Sequence, residues 1–186
     1  MHGEGCYIYR KKDEDTDWDA EAQEVDRFEG KFVDGYKEEG EMFYGNGDKY
    51  WGSFELTGLK KYGILTYANG DEFSGAFEEG ARNVGELKYA SGDVYKGEFK
   101  DGVFSGIGEL KQQDGDEYSG EFINGLRHGK GVLKLSESNG GAFYTGDFAE
   151  NLMHGMGFYK SADGGEYVGQ FANGMQHGQG AFTMPD

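Results

Sequence analysis

One pattern recurs along most of this chain: an aromatic residue, any residue, glycine, any residue, and then phenylalanine. The leading aromatic residues are spaced by 22, 23, 22, 23, 26 and 23 positions, so the pattern is an internal repeat. A fixed period of this length is typical of stacked supersecondary units, each of which contacts only its neighbours. The copies begin at Phe28, Tyr50, Phe73, Tyr95, Tyr118, Tyr144 and Tyr167.

Each copy contains two turns around an alternating segment, which predicts a β-hairpin. After the phenylalanine comes a short turn such as Asn124-Gly125, then a Gly-x-Gly segment, then a second turn such as Asn69-Gly70. Asn-Gly and Asp-Gly are strong hairpin signals because type I′ turns need positive φ at both central residues. The sequence therefore predicts an all-β fold, an elongated single-layer antiparallel sheet in which each hairpin adds about 10 Å.

The glycine inside the pattern indicates how the rings pack. Residues i, i+2 and i+4 of a strand share a face, so Tyr118, Gly120 and Phe122 lie together. The glycine leaves a notch, across which we expect a ring of a neighbouring repeat to lie. The chain has 35 glycines, which do not follow collagen's period of three, and 16% aromatic residues, which a glycine-rich linker would lack.

The longer pattern Y-x-G-x-F-x-x-G-x-x-H-G-x-G resembles the MORN repeat (membrane occupation and recognition nexus). Residues 118–131 and 167–180 match it at every defined position. The resemblance implies a hairpin ladder that serves as an interaction or scaffolding module. Such arrays occur in cytoskeletal and ciliary assemblies, in membrane-junction proteins, and beside catalytic domains.

The earlier copies depart from this pattern. Those that start at Phe28 and Phe73 are one residue short, which we assign to the first turn. The first four copies replace the histidine with Glu38, Lys61, Asn83 and Ser105.

Residues 1–27 hold a half repeat and an acidic insertion, and residues 28–186 hold the seven repeats, which we expect to form one continuous domain. His2 to Tyr9 resembles the second strand of a repeat without its first strand. This predicts an open sheet edge, which is a template for pairing with another chain. The alternatives are that the chain is a fragment, or that this strand is short and frayed.

The charge balance narrows the class of partner. The net charge is −17, from 18 basic and 35 acidic residues. This disfavours nucleic acid and anionic lipid, and it favours basic partners. Cys6 is the only cysteine, and residues 1–15 lack the apolar stretch of a secretory signal. We therefore expect a cytoplasmic protein.

Three motifs suggest a ligand but have simpler explanations. Residues 125–130, G-L-R-H-G-K, fail the phosphate-loop spacing, since three residues rather than four separate the glycines. Residues 13–24 have acids at calcium-loop positions, but Trp18 stands where the loop needs glycine, so we expect a solvated acidic loop. The histidines occupy one repeat position and are too far apart to share a metal ion, so we expect structural roles for them; they are His2, His128, His154 and His177.

These features predict a non-catalytic protein that uses no cofactor or metal. We expect a partner-binding groove lined by Tyr95, Phe99, Tyr118, Phe122, Tyr144, Phe148, Tyr167 and Phe171, because one face of a single sheet cannot be fully covered by its own side chains. The expected structural residues of the repeat are Gly120, Gly146, Gly169, His128, His154 and His177.

The favoured function is a protein-interaction scaffold of a cytoskeletal, ciliary or axonemal assembly. It would bind a basic helical or extended segment, and it would form a homodimer or larger assembly. The alternatives are a phospholipid-associated adaptor and a targeting domain of a larger enzyme.

Overall fold

A computed structural model describes residues 2–9 and 26–185 of the chain. The described residues form fifteen β-strands and one short 3₁₀ helix, Glu137–Asn139, so the predicted all-β class is confirmed. The chain divides into two compact units, Met1–Ala90 (unit 1) and Ser91–Asp186 (unit 2), and the single continuous domain stays a prediction.

Unit 1 is an antiparallel sheet in which each strand pairs with its neighbour in the chain. The predicted half repeat is its first strand, which aligns Gly5 with Gly30 of the second strand. The strands are β1 (Gly3–Tyr9), β2 (Asp26–Val33), β3 (Tyr36–Phe43), β4 (Lys49–Phe54), β5 (Lys60–Thr66), β6 (Glu72–Glu78) and β7 (Ala81–Lys88).

Unit 2 follows the same order of pairing through four further hairpins. The 3₁₀ helix lies in the turn between the hairpins that begin at Tyr118 and Tyr144, and it accounts for the longer spacing there. The strands are β8 (Val94–Lys100), β9 (Val103–Lys111), β10 (Glu117–Ile123), β11 (Leu126–Lys134), β12 (Phe143–Ala149), β13 (Leu152–Lys160), β14 (Glu166–Ala172) and β15 (Met175–Thr183).

The two turns differ in geometry in every repeat except the one that begins at Tyr50. The first turn has two residues of positive φ, as at Asn124 (52°) and Gly125 (80°), which is the predicted type I′ geometry, whereas the first turn of the Tyr50 repeat has only Gly58. In the second turn only the glycine has positive φ, as at Gly70 (90°), and the Gly70 N–H donates to the Tyr67 carbonyl. The type I′ prediction is therefore wrong for the second turns, which are type I turns followed by a left-handed glycine.

The missing residue of two repeats lies in a β-bulge and not in the first turn. Phe32 pairs with Lys37 and Phe77 with Arg82, the same separation as Phe122 and Arg127. The turn is therefore unchanged, and the expectation of a short turn is wrong. These two repeats differ from the Tyr118 repeat instead in how many residues bulge out of the returning strand.

A ring of the same repeat fills the notch at each glycine, not the ring of a neighbour. Gly120 pairs with Gly131 across the hairpin, and a Cβ at either position would lie 2.5 Å from the Tyr118 hydroxyl oxygen. The tyrosine folds back over its own hairpin because both backbones lack a side chain there. The notch was predicted correctly, but its occupant was not.

Candidate functional site

The rings predicted to line an open groove are buried. The eight aromatic residues from Tyr95 to Phe171 are between 0 and 7% exposed. Phe122, Phe148 and Phe171 each pack edge-to-face on the tyrosine of their own repeat and on the tyrosine of the preceding repeat. Phe122, for example, lies 5.1 Å from Tyr118 and 5.3 Å from Tyr95 between ring centroids. We call this row of rings the aromatic ladder.

The expectation of uncovered rings fails for a physical reason. The glycine pairs let the tyrosines lie flat on the backbone, and Phe122, Phe148 and Phe171 each fill the gap between two tyrosines. Whether a partner binds along these rings stays a prediction. Unit 1 contains a ladder that the predicted site omitted, with rings at most 8% exposed: Phe28, Phe32, Tyr50, Phe54, Phe73 and Phe77.

The tyrosine hydroxyls of the ladder bond to the backbone beneath them. The Tyr144 hydroxyl lies 2.9 Å from the Asp147 carbonyl and 3.2 Å from the His154 carbonyl. The Tyr118 hydroxyl reaches the equivalent carbonyls of Glu121 and His128. Burial raises the pKa to about 12 for Tyr50, Tyr95, Tyr118 and Tyr144.

One side chain per repeat covers the ladder from the returning strand, opposite the phenylalanine. In unit 1 these covering residues are the cations Lys37, Lys60 and Arg82. The Lys60 ammonium lies 5.7 Å from the Phe77 ring centroid, and burial lowers the pKa of Lys60. These contacts have the geometry of cation–π interactions.

Unit 2 covers its ladder with different chemistry. The covering residues are Phe104, Arg127, Met153 and Gln176. The Phe104 ring stacks on Tyr95 at 3.7 Å, and the Arg127 guanidinium lies 5.6 Å from the Tyr118 ring centroid. The ladder face of unit 2 is therefore less cationic than that of unit 1.

Acidic side chains in unit 2 close the β-bulges. The Glu121 carboxylate accepts a hydrogen bond from the Lys130 N–H at 2.8 Å, and the Glu98 carboxylate accepts one from Ile107 at 3.1 Å. From the sequence alone, these carboxylates were expected only to form a charged outer face. The missed signal is an acceptor, Glu, Asp or Gln, between the glycine and the phenylalanine of the repeat.

A second set of carboxylates joins consecutive repeats and was also missed. The Asp71 carboxylate accepts a hydrogen bond from the Ala90 N–H at 2.8 Å, and the Asp93 carboxylate accepts one from Gln113 at 2.8 Å. The sequence signal is an aspartate two positions before the leading aromatic residue. It occurs at Asp26, Asp48, Asp71, Asp93 and Asp116.

The repeat histidines do not converge. The His128 Nδ1 atom accepts a hydrogen bond from the Gly129 N–H, whereas His154 and His177 are exposed. Within residues 2–9 and 26–185, no group of three or more His, Cys, Asp or Glu side chains could hold a metal ion. The structural role of the three histidine side chains stays a prediction.

The other residues that the sequence singled out form no ligand site in the described part of the chain. Gly125 lies in a hairpin turn and Gly129 in a β-bulge, so residues 125–130 form part of one repeat. Cys6 is an exposed free thiol. The acidic segment 13–24, with Trp18, lies outside the described residues. The part of the chain that the structure describes has no helix long and apolar enough to cross a membrane.

These features define an array of β-hairpins held together by an aromatic ladder. The family model of the MORN repeat matches residues 1–14, 62–72, 95–117, 118–138, 144–166 and 167–186, together more than half of the chain. The chain therefore belongs to the MORN repeat family, as its sequence predicted.

Comparison with individual proteins adds little. No curated protein matches the chain. Among solved structures, it is similar to the TCP domain of Drosophila melanogaster SAS-4 in complex with a proline-rich motif of Ana2. The identity is 13%, the TM-score is 0.46, and the match covers 79% of this chain and 84% of that one. The TCP10c domain of Drosophila melanogaster Sas-4 matches at 12% identity and a TM-score of 0.37, over 78% of this chain and 91% of that one.

Proposed function

We propose that the chain is a non-catalytic scaffold that binds a protein partner on the ladder face of unit 2. Its membership of the MORN repeat family fits a protein-interaction role. The proposal extends to a cytoplasmic, cytoskeletal assembly such as a cilium or axoneme, in which the partner is a helical or extended segment.

The observation that carries the proposal is how thinly the ladder is covered. Arg127 lies across both Tyr118 and Phe148, with its guanidinium carbon 5.6 and 5.9 Å from the two ring centroids. Arg127 and Met153 are long, half-buried side chains. A partner that displaces them would reach a continuous row of aromatic rings, the residue type enriched in the energetic centres of interfaces.

The cations that cover the ladder determine where basic residues of a partner would be repelled. The cations Lys37, Lys60 and Arg82 cover the ladder in unit 1, and they would repel a basic segment there. Unit 2 has one cation, Arg127, at the equivalent positions, and the other three hold Phe104, Met153 and Gln176. An apolar stretch of the partner therefore fits best over unit 2.

The proposal also includes assembly through the first sheet edge. Strand β1 pairs with β2, and its other edge carries no strand among the described residues. An unpaired edge can extend into a sheet shared with another chain. Sedimentation over a range of protein concentrations tests this part, and a single monomeric species throughout would remove it.

Two methionines of strand β13 provide a matched test of the ladder face. Met153 pairs with the ladder residue Phe148, whereas Met156 is exposed in the bulge next to Asp147 and pairs with Gln170. The full chain and its Met153→Glu and Met156→Glu variants would be immobilised in parallel, and proteins retained from an extract of ciliated cells would be identified by mass spectrometry.

We expect Met153→Glu to lose partners that the unmodified chain and Met156→Glu both retain. Equal retention by all three proteins would contradict binding on the ladder face. Retained proteins with no cytoskeletal members would contradict the proposed assembly. Circular dichroism would verify that both variants are folded.

A further inference from the structure

The face of unit 1 opposite the ladder carries exposed apolar side chains. Trp51 is 54% exposed, Tyr62 is 62%, Ile64 is 37% and Val84 is 48%. Trp51 pairs with Ile64, and Ala76 pairs with both Tyr62 and Val84, so these side chains form one patch across β4 to β7. Contiguous exposed apolar patches mark interaction sites more often than scattered residues do.

Two carboxylates border this patch, and one of them, Glu39, lies opposite the cation Lys31 on the neighbouring strand. Glu41 lies directly opposite Trp51 on β3, and Glu39 lies opposite Ser53. Residues directly opposite in an antiparallel pair have Cβ atoms about 5 Å apart, so the side chains of Glu41 and Trp51 leave the sheet next to each other. Among the described residues, neither Glu39 nor Glu41 forms an ion pair, whereas Glu29 pairs with Arg27 and Glu38 with Lys31.

The same face already holds a guanidinium between a ring and a carboxylate. The guanidinium carbon of Arg27 lies 4.2 Å from the Phe43 ring centroid, and its Nε lies 3.2 Å from the Glu29 carboxylate. Arg27 and Phe43 are direct cross-strand partners. Trp51 and Glu41 present the same two groups one strand further along, without an arginine; the cation on this face of β4, Lys49, lies 5.7 Å from the Phe43 ring centroid.

We infer that Trp51 and Glu41 form a binding site for an arginine side chain of a basic protein segment, whose neighbouring apolar side chains cover Ile64 and Tyr62. A guanidinium suits the site because it stacks on an aromatic face and bonds to a carboxylate at the same time. The inference rests on the proposed interaction role, but it places the basic part of a partner on the face away from the ladder.

A short peptide tests this site directly. The probe is acetyl-Leu-Ser-Arg-Ser-Leu-amide, which places both leucines and the arginine on one side when extended. A matched peptide replaces arginine with citrulline, which keeps the shape and removes the charge. The full chain would carry Trp18→Phe, which leaves Trp51 as the one tryptophan, and nuclear magnetic resonance would follow its indole N–H at 150 mM salt.

We expect the arginine peptide to shift the Trp51 signal and the citrulline peptide to bind at least about fivefold more weakly. Glu41→Gln should weaken binding of the arginine peptide to a similar extent. Glu109→Gln removes the same charge from unit 2, and it should change the affinity less than twofold. Circular dichroism would verify the fold of each variant.

The opposite results would overturn the inference. If Glu41→Gln and Glu109→Gln weaken binding equally, the peptide recognises only the net negative charge of the chain. If the arginine peptide leaves the Trp51 signal unchanged, the site does not exist. Either failure would leave binding on the ladder face of unit 2 standing, because that test depends on Met153.

Discussion

The two units share one hairpin plan but differ at the β-bulge. In unit 1 a single residue leaves the pairing, and that residue is Glu38, Lys61 or Asn83. In unit 2 two residues leave it, and the first is always a glycine with positive φ: Gly106, Gly129, Gly155 or Gly178. The His-Gly part of the repeat motif therefore marks the wider bulge.

The wider bulge requires an acceptor, and unit 2 supplies one. The N–H of the second bulge residue donates a hydrogen bond to the side chain of the residue that follows the paired glycine on the first strand. The Met156 N–H, for example, lies 2.9 Å from the carboxylate of Asp147. The equivalent positions in unit 1 hold Lys31, Ser53 and Ala76, and no such bond occurs there among the described residues. The His-Gly segment of the motif and the acceptor before its phenylalanine are therefore two parts of one local structure, the wide bulge.

The largest effect on stability is expected at the glycine pairs, which both units share. Gly131→Ala would bring a Cβ to 2.5 Å from the Tyr118 hydroxyl oxygen, and Gly85→Ala would bring one to 2.7 Å from the Phe73 ring. Since ring and backbone cannot both yield, each change should lower the free energy of unfolding by about 3 kcal/mol. Urea unfolding measures both, and a small loss in either unit would contradict the shared role of the glycine pairs.

The next prediction separates the units. Gly129→Ala forces alanine into a left-handed conformation at φ 53° and places its Cβ 2.5 Å from a Glu121 carboxylate oxygen. We expect a loss of about 2 kcal/mol, mostly from the backbone. Asn83→Ala, at the narrower bulge of unit 1, should cost less than about 0.5 kcal/mol. Equal losses in urea unfolding would mean that the bulges do not differ in the way described.

A smaller effect is expected for the carboxylates that join repeats. Asp71→Ala removes the acceptor of the Ala90 N–H, and it should cost about 1.5 kcal/mol because the bond is charge-assisted. Glu72→Ala removes the same charge next to it and should cost less than about 0.5 kcal/mol. Thermal unfolding of the two variants compares them, and indistinguishable midpoints would show that Asp71 acts only through its charge.

The smallest effect tests the acceptor of the wide bulge. Gln170 already serves this purpose, since its side-chain oxygen accepts from the Gln179 N–H at 3.0 Å. Glu121→Gln should therefore change stability by less than about 0.5 kcal/mol, whereas Glu121→Ala should cost about 1 kcal/mol. If both variants lose the same amount in urea unfolding, charge rather than hydrogen bonding closes the bulge.

The sequence predicted the repeats, the hairpins and the family, because these depend on local patterns. Spacing fixed where Tyr118 and Phe122 fall on a strand, and Asn124-Gly125 correctly indicated a type I′ turn. It could not locate the missing residue of the Phe28 and Phe73 repeats. A repeat becomes one residue shorter whether the residue is lost from the turn or from the bulge, and only the cross-strand register distinguishes the two cases.

Side-chain burial was harder to predict from the sequence. The pattern placed the rings on one face, but whether that face is open depends on how far Tyr118 folds over Gly131 and on what Arg127 covers. The exposed patch around Trp51 was missed because its members come from four strands and match no repeated motif. Its pairing with Glu41 depends on register between strands β3 and β4.

A titration of the tyrosines tests most directly whether the aromatic ladder is a buried core. Burial raises the pKa to about 12 for Tyr50, Tyr95, Tyr118 and Tyr144, which keep their protons when folded. Their contribution to stability is full below pH 10 and is lost as the pH rises from about 10 to about 12.

Carbon-13 labelling of the tyrosine rings would follow each residue by nuclear magnetic resonance, with single Tyr→Phe variants to assign the signals. The account predicts that these four signals stay unchanged through pH 10 and move only near pH 12 or when the chain unfolds. Ionisation of all four near pH 10 in the folded protein would contradict it, because the ladder would then be an open groove.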